Sequence, residues 1–167
     1  VPEDAAQLSP GGEISVATTS RKSSVKKNAA NSNPPLATKL SKALGALAND
    51  LPNPADESTD YFHPFVAPLA SSSKLSPETI KQALKVGASY RIDLSSADDF
   101  FSGATDESNW GEFALGFRLL EKVMRASLSE LSVAFARREN VVRVRMWLFG
   151  RTEDGTLVGL RAMTTET

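Results

Sequence analysis

An α/β (α+β) domain with a mixed, mostly antiparallel sheet and helices on both of its faces is the fold class this sequence predicts, and three observations predict it. Residues 141–164 alternate with period 2 on either side of Asp154-Gly155, the pattern of a hairpin. Residues 110–127 repeat apolar side chains at spacings of three and four, the pattern of a helix packed on a sheet. Elsewhere helical and extended segments interleave, which brings helices to both faces of one sheet.

Taken in order, residues 1–35 are poor in bulky apolar groups and carry Gly11-Gly12 and Pro34-Pro35 as breakers. Such a segment buries too little surface to offset its ordering entropy, so a disordered polar tail or linker is expected there, with residues 36–167 forming the domain. Within the tail, residues 15–33 carry Arg21, Lys22, Lys26 and Lys27 and no acid. Solvated tails, phosphorylatable linkers and organelle transit peptides share that composition.

Leu40, Leu44 and Leu47, with Leu36 near the start, predict a helix over residues 37–49. Gly45 weakens it by up to about 1 kcal/mol relative to Ala. Residues 50–60 form a proline-interrupted acidic loop. Residues 61–67 are aromatic and β-prone, and Pro64 confines them to an edge or a strand start. Ser76-Pro77-Glu78-Thr79 reads as N-cap, first-position proline and N3 threonine of a helix reaching about residue 85, with Gly87 as its closing C′ residue.

Residues 90–94 are a short strand candidate. Ser96 then caps a helical turn holding Asp98, Asp99, Phe100 and Phe101, with the acids placed to complement the helix dipole. Residues 106–109 form a second polar loop. Trp110 is expected to open the longest helix, whose stripe is Trp110, Phe113, Phe117, Leu120 and Met124, widened by Leu119 and Val123. Residues 131–137 make another strand. In the final hairpin, Val142, Val144, Met146 and Leu148 share one face, and Val141, Arg143, Arg145, Trp147 and Phe149 the other. Apolar groups on both faces imply cover on both sides, and Asp154-Gly155 supplies the positive φ of the turn.

The totals restrict the function. With 167 residues, 41% hydrophobic content and net charge −1, the chain holds one ordinary core. A near-neutral balance argues against direct nucleic-acid binding, which shows as a clustered basic surplus. With no cysteine, no thiolate nucleophile, disulfide or Cys-ligated metal is available. No apolar run approaches the roughly 20 residues that span a bilayer, and no signal-peptide core opens the chain. A soluble protein is expected, cytoplasmic or imported into an organelle through the tail, with no membrane partner.

Catalytic patterns are thin. The single His63 has no G-x-S-x-G or comparable nucleophile near it, a His pair for metal is excluded, and Asp98-Asp99 is explained by helix-start electrostatics. No enzyme, resident metal or cofactor is expected, and composition alone ends at a binding protein with acidic loops.

From Leu40 onward, about three quarters of the chain, the sequence resembles the nuclease A inhibitor family, small proteins that block DNA/RNA non-specific endonucleases. Asp98-Asp99-Phe100-Phe101-Ser102-Gly103-Ala104-Thr105 is similar to the family's D-S-F-F-S-x-A-T, and Trp110 follows at the family's spacing. Phe149-Gly150-Arg151-Thr152-Glu153-Asp154-Gly155-Thr156-Leu157-Val158-Gly159 resembles I-G-x-T-x-x-G-x-L-x-G, and Glu166-Thr167 closes the chain as in the family. The stretch from Asp56 to Phe65 resembles S-E-S-E/D-Y-P-F with small insertions.

The resemblance implies a three-layer α/β/α sandwich of the pathogenesis-related-1-like type. It implies inhibition of a metal-dependent sugar-nonspecific nuclease by an acidic first-loop residue, a tryptophan after the second loop and the C-terminal carboxylate, which meets a magnesium-bound water of the nuclease. Those roles carry over to Glu57, Trp110 and Thr167, the insertion between Thr59 and His63 bearing on Glu57. Ser108 stands where the family can carry a longer polar side chain. The expected assembly is a monomer that forms a heterodimer with its nuclease. A non-catalytic interaction domain of the same fold with a different partner is the alternative.

Overall fold

The computed structural model describes residues 34–55 and 60–166. Within them the chain runs α1 (Pro35–Ala48), β1 (His63–Ala67), α2 (Pro77–Ala83), β2 (Arg91–Ser96), α3 (Ala97–Ala104), α4 (Glu107–Trp110), α5 (Phe113–Ser127), β3 (Ser129–Arg137), β4 (Arg143–Arg151) and β5 (Leu157–Thr165). The tail expected at the N-terminus lies, through residue 33, outside the described residues. No helix among the described residues is long and apolar enough to cross a membrane.

The strands form one sheet in the order β1-β5-β4-β3-β2, and every neighbouring pair is antiparallel. The domain is therefore α+β, and the expected mixed sheet is corrected to a wholly antiparallel one. The consecutive strands β1 and β2 sit at opposite edges, so the crossover through α2 never lays a parallel strand beside its predecessor. Pro64 falls at the second residue of edge strand β1, opposite Leu160, where a missing N–H is tolerated.

The hairpin of β4 and β5 is the centre of the sheet. Val133, Leu148 and Leu160 lie in register across β3, β4 and β5, and all three are buried with Leu44 of α1, Phe101 of α3 and Phe117, Leu120 and Met124 of α5. The alternate residues Trp147, Phe149 and Leu157 are buried in a second cluster with Ala134, Ala67 and Ile80 of α2. Both faces of the central strands are thus covered by apolar side chains, as the two-sided pattern required. The exposed positions of β4 and β5 on the second face are Arg143, Arg145, Arg161 and Thr165.

At the turn, Gly155 has φ +94°, and a Cβ there would stand 2.6 Å from Ser71 Cα. The close approach is held by Arg151, 6% exposed, whose guanidinium donates to the carbonyls of Ser73 (2.7 Å), Ala70 (2.8 Å) and Ser71 (3.3 Å) and pairs with Glu130 at 3.2 Å. A buried guanidinium is tolerated because its N–H groups find acceptors.

The helices depart from expectation in instructive ways. Helix α1 starts at Pro35, since proline is acceptable where the N–H needs no intrahelical partner. Its buried line is Ala37, Ser41, Leu44 and Ala48, while Leu36 is 70% exposed. Gly45 is explained by packing: a Cβ would lie 2.8 Å from Pro64 Cγ of β1.

Helix α2 has the anticipated cap, with Ser76 Oγ accepting from Thr79 N–H (3.2 Å) and Thr79 Oγ1 accepting from Ser76 N–H (2.9 Å). Its end differs. Lys85, at φ +54°, takes the left-handed position assigned to Gly87, and Val86 N–H reaches Lys81 O at 3.0 Å to close the turn.

The longest helix does not open at Trp110. Gly111, at φ +54°, breaks the path, so Trp110 ends the separate turn α4 and α5 begins at Phe113. The buried line of α5 is Ala114, Phe117, Leu120 and Met124, and Leu119 is 49% exposed. The apolar period alone could not show that break.

Two substitutions follow. Gly45→Ala is expected to destabilise by roughly 1–3 kcal/mol, because overpacking against Pro64 outweighs the helix-propensity gain of about 1 kcal/mol. Lys85→Gly is expected to stabilise by about 0.5–1 kcal/mol, because glycine adopts the left-handed conformation without a Cβ clash. Urea unfolding of both variants checks the opposite signs.

Candidate functional site: a cleft beside the chain end

The loop that precedes β1 is fastened to the end of β5. Asn53, fully buried, donates from Nδ2 to Met163 O (3.0 Å) and accepts from Ala55 N–H at Oδ1 (3.0 Å). Thr164, 2% exposed, donates from Oγ1 to Ala55 O at 2.6 Å. Asn53 N–H also bonds Asp60 O across the loop neck (3.2 Å), next to the bridge between Pro52 and Tyr61. The two ends of the loop stem, at residues 52–55 and 60–61, are therefore joined to each other, and the first is anchored to the last strand.

Pro54 and Ala55 of that stem form one rim of a cleft of about 520 Å³. The other rim comes from Phe100, Asn109 and Trp110, and Val133 and Phe135 of β3 line it from the sheet. Trp110 is half-buried and rests edge-on against Phe117 (centroids 6.3 Å apart, planes at 70°). Phe117 in turn meets Phe100, which meets Phe62 just before β1, both at 6.4 Å and near-perpendicular. Such edge-to-face contacts give the tryptophan a defined seat while part of its surface stays accessible.

The turn carrying Trp110 is held from both ends. Asp106 caps α4 by accepting from Ser108 N–H (2.9 Å) and from the Ser108 hydroxyl (2.6 Å), which together hold its carboxyl below the ordinary range. Arg118 of α5 reaches back to Glu107 at 2.7 Å. Ser108 thus spends its hydroxyl inside the turn.

Beside the cleft, Arg137 at the end of β3 joins three strands. Its Nη1 donates to Asp93 of β2 (2.8 Å), its Nε donates to both oxygens of Glu166 (3.0 and 2.9 Å), and Nη2 also binds Glu166. The guanidinium lies 4.8 Å from the centroid of the Phe135 ring. Arg137 depresses the Glu166 carboxyl, with burial opposing, and its own pKa is raised in return. Asp93 is depressed by Arg91 first, with burial opposing and Arg137 adding to the effect.

Of the residues singled out from sequence, Trp110 is at the cleft, and Glu57 and Thr167 lie outside the described residues. The segments that lead to those two, Ala55 and Thr164, are in direct contact. His63 is exposed on the opposite face of the sheet, beside Tyr61, Arg145 and Arg161. Asp98 pairs with Arg125 at 2.5 Å, tying α3 to α5. No group of three His, Cys, Asp or Glu able to hold a metal occurs among the described residues.

Sequence reasoning missed Asn53, Thr164 and Arg137. The Asn53-Pro54 dipeptide is a turn initiator and was a usable signal. The other two had none, because their partners are distant in sequence.

Carboxylates depressed by pairing add stability that is present at neutral pH and lost as pH falls through their folded-state range. Arg137→Ala is accordingly expected to cost about 1 kcal/mol at pH 7, discounted for partial exposure of all three groups. The variant and the parent are expected to converge as pH falls from 7 through the depressed folded-state range of Asp93 and Glu166. Urea unfolding across that range checks this.

No curated protein matches this chain. Residues 38–167 match the family described as nuclease A inhibitor-like protein. The loop stem and tryptophan turn that line the cleft, and the last strand that holds the stem, all fall within that span, and the chain belongs to the nuclease A inhibitor-like family.

Proposed function

We propose that the protein inhibits a metal-dependent, sugar-nonspecific nuclease by occluding its active site, with no chemistry of its own. The family membership supports the class of activity. The observation that carries the mechanism is the hydrogen bond of Thr164 to Ala55, beside a cleft that Ala55 shares with Trp110. It gathers at one end of the sheet the three segments from which Glu57, Trp110 and Thr167 extend.

In this reading Glu57 and the carboxylate of Thr167, where that residue ends the native chain, occupy the position of a phosphodiester. A nuclease active site presents a divalent cation and basic groups arranged for phosphate, so a carboxylate on a rigid scaffold satisfies the same electrostatics. Thr167 meets a water on the nuclease's magnesium, Glu57 faces its basic groups, and Trp110 supplies apolar contact of the kind that dominates interface hot spots. The inhibitor is a monomer that forms a heterodimer with the nuclease. Its domain spans residues 36–167 behind a polar tail, as an α/β/α sandwich of the pathogenesis-related-1-like type. The two apolar clusters on opposite faces of the sheet support that layering.

Inhibition of purified magnesium-dependent nucleases that cut both DNA and RNA tests the proposal. Residues appended after Thr167, or its deletion, are expected to weaken inhibition by at least about tenfold, since truncating one partner of a buried charge contact costs 2 kcal/mol or more. Glu57→Gln should act in the same direction. Trp110→Ala is expected to cost roughly 2 kcal/mol, about thirtyfold in affinity, with thermal unfolding recorded alongside because the ring also seats on Phe117. Unchanged potency in all of these variants would remove the chain end and the cleft from the mechanism.

A further inference from the structure

We propose that Arg137 is the positioning residue that aims the end of the chain. After Thr165, which pairs with Arg143, the chain leaves the ladder of β5. Among the described residues, two attachments follow. Glu166 N–H donates to Val142 O at 2.9 Å, and the Glu166 carboxylate takes the forked donors of Arg137.

One attachment fixes a point, whereas two fix a direction. The backbone bond alone leaves residue 166 free to rotate about it, as chain ends do when they are not tied down. The guanidinium supplies the second point, and it is itself constrained by Asp93 of β2 at 2.8 Å and by the Phe135 ring beneath it. Its planar fork makes the contact to Glu166 directional in a way that a single ammonium would not. The end of β5 is thus referenced to β3 and β2, which lie two and three strands away from it in the sheet.

Ion pairs this exposed contribute little to global stability. Their consequence here is local: Glu166, from which residue 167 continues, is held in a set direction, and less motion is left to freeze on docking. Arg137 also stands on Phe135, which lines the cleft with Trp110, so the clamp and the cleft share one support. The clamp itself is independent of any partner. Its role in inhibition rests on the reading under Proposed function.

The test therefore has two arms on the full-length chain. In the first, amide hydrogen exchange is followed by NMR in the parent, Arg137→Ala, Arg137→Lys and Glu166→Ala. Exchange of the residue 166 amide is expected to speed up about tenfold or more in Arg137→Ala and Glu166→Ala and less in Arg137→Lys, with amides in the middle of β4 unchanged. An unaltered residue 166 amide overturns the clamp. Glu166→Ala, at an exposed site, keeps this arm decisive if Arg137→Ala fails to fold.

In the second arm, inhibition of the same magnesium-dependent nucleases is measured for Arg137→Ala with Thr167 present and deleted. The expected loss is about tenfold with Thr167 and less than about twofold without it, because an aiming residue has nothing left to aim. Equal losses in both backgrounds overturn the positioning role. If the parent chain inhibits none of the nucleases, the inhibitor reading fails, and the exchange arm still decides the clamp.

Discussion

Pairing of β4 with β5 is the constraint on which the other elements depend. Nine residue pairs hold the two strands together, and both faces of the hairpin carry buried apolar side chains. A shift of one residue would turn Met146, Leu148 and Leu160 out of one cluster and Trp147 and Phe149 out of the other. The register is therefore set from both sides at once. It determines where Met163 and Thr164 stand, and through them where the first loop is fastened.

The cleft is assembled from segments that have little structure of their own. Leu51 roots the loop in the first cluster, and beyond it the stem is placed by two specific contacts, the buried amide of Asn53 and the hydroxyl of Thr164. The Trp110 turn is only four residues long, held by the Asp106 cap, the Arg118 reach to Glu107 and an aromatic contact to Phe117. Polar contacts to backbone are suited to this. They fix the direction of a single group, to which apolar burial is indifferent. The apolar core carries the stability and the polar contacts carry the arrangement of the site.

Backbone strain appears where the chain must turn sharply. Lys85 and Gly111 both take positive φ, the first to close α2 and the second to part α4 from α5. Lys85 does so without glycine's freedom, sustained by the hydrogen bond of Val86 to Lys81 and the burial of Val86 in the second cluster. The break at Gly111 has the larger consequence for the site. It lets Trp110 stand at the rim of the cleft rather than continue the buried stripe of α5.

Local pattern was enough to place the strands, the Ser76 and Ser96 caps, the Asp154-Gly155 turn and the hairpin with its two covered faces. Each of these depends on residues a few positions apart, where period and capping chemistry act directly. Motif order was likewise enough for the family. What only the tertiary structure decided is the antiparallel sheet order, the separation of Trp110 from α5, the need for glycine at residue 45 and the meeting of Asn53, Ala55 and Thr164. Contacts between residues some 110 positions apart leave no periodic trace in a sequence. Arg137 reads in the sequence as one more solvated charge at a strand end. Only folding brings Asp93 and Glu166 within its reach and makes it the post to which the chain end is tied.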